Sequence, residues 1–428
     1  MIMNKSIFTL TAILLFSSLT FGQIRSYSKT GLNEFETPKA ENESFDKVRL
    51  KIGGNFTQSF QALSHSNTAD IVANPAAALV KIGPGFNTAV ANLNFDIHLA
   101  QGVYMNMALY LSSRHHNETW VKGGYIRFDE LPFLKIDLLD EIMKYTTIKV
   151  GHMEVNYGDA HFRRSDNGNA MYNPFIENYI LDAFATEIGA EVDLSYEGFL
   201  AALSVTNGQI KGNIAAYDPV VDASNGKQNP AFIAKLGYDK QLTEEFRARI
   251  TGSIYHTAGS IGNTLYGGDR TGSHYYGVMD NAMATTIFTS GRFNPGFGDK
   301  VTSMMGNLFL KYGGLESFTT LETSSGRGRT EITGERAAGQ FATDLLYRFG
   351  NSENFWVGAR YNAASARLAG YAADVNIDRI AVSAGWYVTK NLMTKLEYVT
   401  QNYDGFATND IRNGGKFSGI VLEAVVGF

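Results

Sequence analysis

From residue 48 onward the chain is dominated by segments of about ten residues in which apolar and polar side chains alternate strictly, a period of two that rules out amphipathic helices. The first is the cleanest: Leu50, Ile52, Gly54, Phe56, Phe60 and Ala62 alternate with Arg49, Lys51, Asn55, Thr57, Ser59 and Gln61. In the next, Ala89, Ala91, Leu93, Phe95, Ile97 and Leu99 stand against Asn92, Asn94, Asp96 and His98. At the far end, Ile420, Leu422, Ala424, Val426 and Phe428 share one face of a strand that runs to the last residue. Alternation alone fits a soluble sandwich with one wet face or a membrane barrel with a wet lumen.

Spacing separates the two. Strands are expected near 48–62, 88–100, 102–112, 119–129, 146–157, 185–195, 198–206, 231–240, 246–258, 301–312, 315–324, 337–349, 353–363, 376–388, 392–402 and 417–428. Their connections alternate short, as at Gln101-Gly102 and Gly313-Gly314, and long, as at 63–87, 158–184 and 259–300. Outer-membrane barrels have this rhythm of short periplasmic turns and longer outer loops, and an even strand number. Residues 277–290 would pass as a further strand, but inserting it puts the next short turn outside. Sixteen strands are therefore expected, with eighteen as the alternative. One inner turn is long, and in it Leu134, Leu138, Leu139 and Ile142 sit at helical spacing, so 131–145 predicts a short periplasmic helix. Tyr and Trp residues near strand ends, among them Tyr104, Tyr110, Tyr157, Tyr255, Tyr312, Trp356, Trp386 and Tyr398, suit aromatic girdles at headgroup depth. A change of apolar face after Gly151 suggests a glycine bulge there.

Residues 1–22 carry Lys5, an apolar run from Ile7 to Leu19, and small or uncharged residues before Gln23. They predict a signal peptide cleaved after Gly22, since the run is too short to span a bilayer. Removing Lys5 with it takes the net charge from −5 to −6, which gives no footprint for nucleic acid. With no cysteine in the chain, disulfides and thiolate chemistry are excluded. The expected organisation is a signal peptide at 1–22, a polar periplasmic segment at 23–46, too polar and too short for a folded plug, and a barrel at 47–428.

Signal peptide, alternating segments and terminal Phe428 together resemble a Gram-negative outer-membrane porin. The stretch Ile148-Lys-Val-Gly-His-Met-Glu-Val-Asn-Tyr-Gly158 is similar to the Gly-Gln-Phe-x-x-Pro-Phe-Gly stretch of the phosphate-selective porin-like barrels of Bacteroidota. It departs from that pattern at His152-Met153 and Asn156-Tyr157. The resemblance implies outer-membrane localisation after export, with outer-membrane lipids and lipopolysaccharide around the barrel. It also implies recognition of the strand ending at Phe428 by the barrel-insertion machinery, and a homotrimer. It further implies passive diffusion of small hydrophilic solutes or ions, without cofactor or catalysis.

In such porins the third outer loop folds inward and narrows the lumen. By that likeness Asp159, His161, Arg163, Arg164 and Asp166 in loop 158–184 are the candidate constriction, facing acids and bases that set selectivity. The same residues would alternatively solvate an ordinary outer loop, or bind lipopolysaccharide phosphates through Arg163 and Arg164. Polar parity puts Arg49, Lys51, Asp96, Glu191, Arg247, Arg249, Arg348 and Arg360 on the lumen wall, both signs being present rather than a basic ladder. His115-His116 and the loop carboxylates Asp218, Asp222, Asp374 and Asp378 lack metal-site spacing. No hydrolase, zinc-protease or nucleotide motif occurs. The rival reading is a closed barrel that docks in a surface or secretion complex, using exposed aromatics such as Tyr275-Tyr276, Phe288, Phe293 and Phe297.

Overall fold

The computed structural model describes residues 25–39, 44–112, 118–210, 228–268, 271–283 and 290–428. Their alternating segments form a closed antiparallel barrel of sixteen strands: β1 (Arg49–Ser66), β2 (Val90–Ala100), β3 (Val103–Leu111), β4 (Trp120–Phe128), β5 (Thr146–Glu154), β6 (Thr186–Tyr196), β7 (Phe199–Thr206), β8 (Ala231–Gln241), β9 (Phe246–Thr257), β10 (Val301–Tyr312), β11 (Leu315–Gly326), β12 (Arg336–Phe349), β13 (Phe355–Ala366), β14 (Val375–Tyr387), β15 (Leu392–Asp404) and β16 (Lys416–Gly427). Each pairs with its sequence neighbour. A two-residue strand at Gly85–Phe86 adds a short pairing to β1. Closure comes from β16 pairing with β1, from Asn55 opposite Gly427 to Ser66 opposite Lys416. Phe428 completes it by exchanging backbone hydrogen bonds with Gly54, at 2.9 and 3.0 Å. Among the described residues no strand edge is left to pair with another chain.

All sixteen expected strands are present. Residues 277–283 stay in a loop whose isolated pairing is Leu79 with Asn281, so the eighteen-strand alternative falls. The long inner turn carries the expected helix, α1 (Asp137–Met143).

The apolar face points outward. Leu203, Leu236 and Ile250 are 60% or more exposed, and Leu50, Ile52, Phe56, Leu422 and Val426 are exposed beside them. A continuous apolar belt of this kind needs lipid around it. The other face, with Asn55, Thr57, Gln61, Asn92 and Asp96, is buried inside. The aromatic girdle is smaller than expected. Tyr312, Tyr347, Trp386 and Tyr398 face outward, but Tyr104, Tyr110, Tyr157, Tyr255, Trp356, Tyr387 and Tyr403 are buried on the inner side. A strand-end position does not tell which face a ring takes; parity does.

Gly151 is not a bulge. Pairing runs unbroken from Tyr125 through Gly151 to Gly189. The residue must nevertheless be glycine, because its φ is +145° and a Cβ would come within 2.6 Å of the Gly124 carbonyl oxygen. The register shift lies one hairpin earlier. Ala108 pairs with Gly123 and Leu109 with Val121, leaving Lys122 as the extra residue of β4.

Candidate functional site

A lumen lined by polar side chains can hold a folded polar chain only if that chain's backbone groups find partners. Loop 158–184 meets this condition. It enters the barrel from β5 and its tip touches the β1–β2 wall: Thr57 Oγ1 donates to the Gly168 carbonyl (2.6 Å), and the Gly168 N–H donates to Asn92 Oδ1 (2.9 Å). A Cβ at Gly168 would fall 2.6 Å from the Asn55 carbonyl oxygen, which fixes how near the loop comes.

The loop then returns along β12 to β15, whose side chains bind its backbone. Ser383 donates to the Pro174 carbonyl (2.7 Å), Lys395 to that of Phe175 (2.8 Å), Arg360 to that of Glu177 (2.8 Å) and Arg379 to that of Asn178 (2.6 Å). In the other direction the Ile176 N–H donates to Glu397 (2.8 Å) and the Ile180 N–H to Asn362 (2.7 Å). Phe175, Ile176, Ile180 and Leu181 are buried against Leu265, Tyr275, Val278 and Phe293 of the loop between β9 and β10. Tyr275, Phe293 and Phe297 are therefore inside the outer mouth and unavailable as a docking surface; Phe288 lies outside the described residues.

The five constriction candidates divide. Asp159 is fully buried, with Lys235 at 3.1 Å, Arg249 at 2.8 Å and Thr251 at 2.7 Å. Burial pushes its carboxyl up, but Lys235 and Arg249 outweigh this and hold it well below the usual carboxylate range. Arg163 is buried in a pair with Glu316 (2.6 Å), which also binds Arg348 (3.0 Å). Both residues fasten the loop to the wall. His161, Arg164 and Asp166 instead border a cavity of about 250 Å³ between the loop and β2 to β6.

Asn92, Asn94, Asn106 and Asn156 also line this chamber, with Tyr125 and Tyr172. Most of its charges are paired, Lys149 with Glu191 (2.8 Å), Lys122 with Asp166, and Arg164 with Asp182, while a His161 ring nitrogen lies 2.7 Å from Glu154 and Arg25 on the same lining donates to the Phe162 carbonyl. The bulge in β4 is what carries Lys122 to Asp166.

The eight wall candidates all lie on inward positions. Arg348 and Arg360 are committed to Glu316 and Asp344. Arg247 and Arg249 border a larger periplasmic vestibule of about 1370 Å³. Glu191 lines the chamber. Asp96 accepts from Asn106 (2.8 Å) and stands opposite Lys51, which is exposed. Arg49 pairs with Asp46 at the rim. His115, His116, Asp218 and Asp222 lie outside the described residues.

What the sequence reading missed is the N-terminal segment. Residues 25–39 are not a free periplasmic tail. They lie inside the barrel, where Asn33 donates to Glu316 (2.8 Å), Arg247 donates to the Asn33 carbonyl (2.9 Å), and Phe35 packs on Phe309 and Phe162. Polarity and shortness argued against a folded plug, yet a polar lumen calls for a polar occupant. Phe35 followed by Glu36 was the available signal, one apolar anchor beside an anion for a basic wall.

Fold and lumen thus define a transmembrane β-barrel whose interior is narrowed by its own chain. No family model matches the sequence, and no curated protein matches it. Among solved structures it is similar to the outer-membrane expressed OmpT of Vibrio cholerae, with 9% identity over 91% of this chain and 100% of that one, TM-score 0.50. It is also similar to an anion-selective porin from Comamonas acidovorans, with 10% identity over 89% of this chain and 100% of that one, TM-score 0.51. A trimer form of the Vibrio cholerae OmpT matches with TM-score 0.50 at 9% identity, over 90% of this chain and 100% of that one. At these identities the likeness is one of fold.

Proposed function

We propose that this chain is an outer-membrane porin through which small hydrophilic solutes or ions diffuse passively, the route running between loop 158–184 and the β2–β6 wall. The observation that carries this reading is the polar chamber left on that side when the loop packs on the opposite wall. Porin-like barrels of the same fold support it, and we extend the proposal to a homotrimer on the same likeness. Phosphate selectivity rests only on the stretch around Gly151. The paired charges of the chamber favour weak ion preference instead.

Single-channel recording in a planar bilayer under a KCl gradient tests this, with a reversal potential near zero expected. Arg164→Ala removes one cation from the chamber border and is expected to shift the potential toward cation preference. Asp166→Asn is expected to shift it the other way, and Arg163→Ala to leave it unchanged, since Arg163 faces Glu316 away from the route. Unshifted potentials in both chamber variants would remove these residues from the pathway.

A further inference from the structure

The vestibule and the chamber are separate spaces, and they share three lining residues: Phe35, Glu36 and Thr37. The partition between them is therefore the N-terminal segment itself. Around Lys29 the segment reaches the periplasmic turns, with the Lys29 N–H on the Lys390 carbonyl (2.8 Å) and its ammonium on Asn354 (2.5 Å). Arg25 reaches loop 158–184, where its guanidinium lies 3.4 Å from the centre of the Tyr172 ring and donates to the Phe162 carbonyl (2.5 Å). From Asn33 the chain crosses the mouth to Lys39, whose ammonium donates to carbonyls at Asp129, Met143 and Thr146 beside α1. It lies across the opening as a strap.

How the strap is held decides what it can do. Phe35 and Tyr27 are its buried large side chains, and Leu32 packs half-buried against the core. The remaining anchors are hydrogen bonds and ion pairs, chiefly Glu36 with Arg249 (2.7 Å) and Lys235 (3.4 Å). Those two cations keep Asp159 as a partner when Glu36 leaves, so releasing the strap strands neither of them. The barrel wall needs no strap residue to close, because β1 pairs with β16 directly. A segment with few apolar contacts, outside the sheet, on cations that have a second partner, is suited to an order–disorder transition.

We propose that residues 25–39 are a releasable gate, closing the passage between vestibule and chamber when seated and joining them when withdrawn. This rests on the porin reading. The test compares full-length protein with a variant lacking residues 25–37 in planar bilayers, folding of each being checked by heat-modifiable gel migration. The expected result is a several-fold larger mean current in the deleted form. A synthetic peptide of residues 25–39, added to both sides, is expected to restore the smaller current. Equal currents in the two folded proteins would overturn the gate and leave the porin reading standing. Silence in both would overturn the gate and the porin reading together. A larger current that the peptide does not reduce would also overturn the gate, making the effect one of general loosening.

Discussion

Glu316→Ala is expected to destabilise the folded barrel by about 3–5 kcal/mol, the range for removing one partner of a buried ion pair. Glu316 is fully buried and joins three parts of the molecule: Arg163 of the inward loop, Arg348 of β12 and Asn33 of the strap. Alanine leaves two buried guanidinium groups without a carboxylate, and each already has one nitrogen without a hydrogen-bond partner, Nε of Arg163 and Nη1 of Arg348. Glu316→Gln keeps the shape and part of the hydrogen bonding, so a smaller loss is expected. Urea unfolding in lipid vesicles measures both. Equal midpoints for wild type and Glu316→Ala would mean that loop and wall do not depend on this group.

Acid is expected to open the channel. Burial pushes the Glu36 carboxyl up, but Lys235 and Arg249 outweigh it and hold the group below the usual carboxylate range. Asp159 is the nearby anion that opposes them. A carboxylate with a depressed value stabilises the seated strap above its unfolded value of 4.5, and that contribution fades as pH falls through the lower, folded value. Mean current is therefore expected to rise as pH is lowered from 4.5. Glu36→Gln is expected to raise the current at neutral pH and to flatten the acid response. A variant that keeps the full response would place the titrating group elsewhere.

The barrel was legible in the sequence because period-two alternation reports a physical boundary, lipid on one side and water or polar chain on the other. Strand count followed from loop rhythm, and α1 from the helical spacing of Leu134, Leu138, Leu139 and Ile142. The interior was less legible. Loop 158–184 was singled out by position, but which residues border space and which fasten it to the wall depends on partners far along the chain, such as Glu316 for Arg163 and Arg249 for Asp159. The bulge at Lys122 carries no local sign, since Gly123 and Gly124 are no more suggestive than Gly151. The N-terminal segment was set aside as too polar and too short for a folded plug. Inside a barrel the polar face is the buried one.

Where water runs in the lumen can be measured directly by thiol labelling, because the chain has no cysteine of its own. Asn106→Cys places a thiol on the chamber wall, and Ser383→Cys places one beneath loop 158–184, where the native hydroxyl binds the Pro174 carbonyl. With the full-length protein in bilayers, a charged, membrane-impermeant thiol reagent is expected to modify Asn106→Cys and reduce its current, and to leave Ser383→Cys untouched. Rapid labelling of Ser383→Cys with a protected Asn106→Cys would put the water path on the opposite wall and contradict the account.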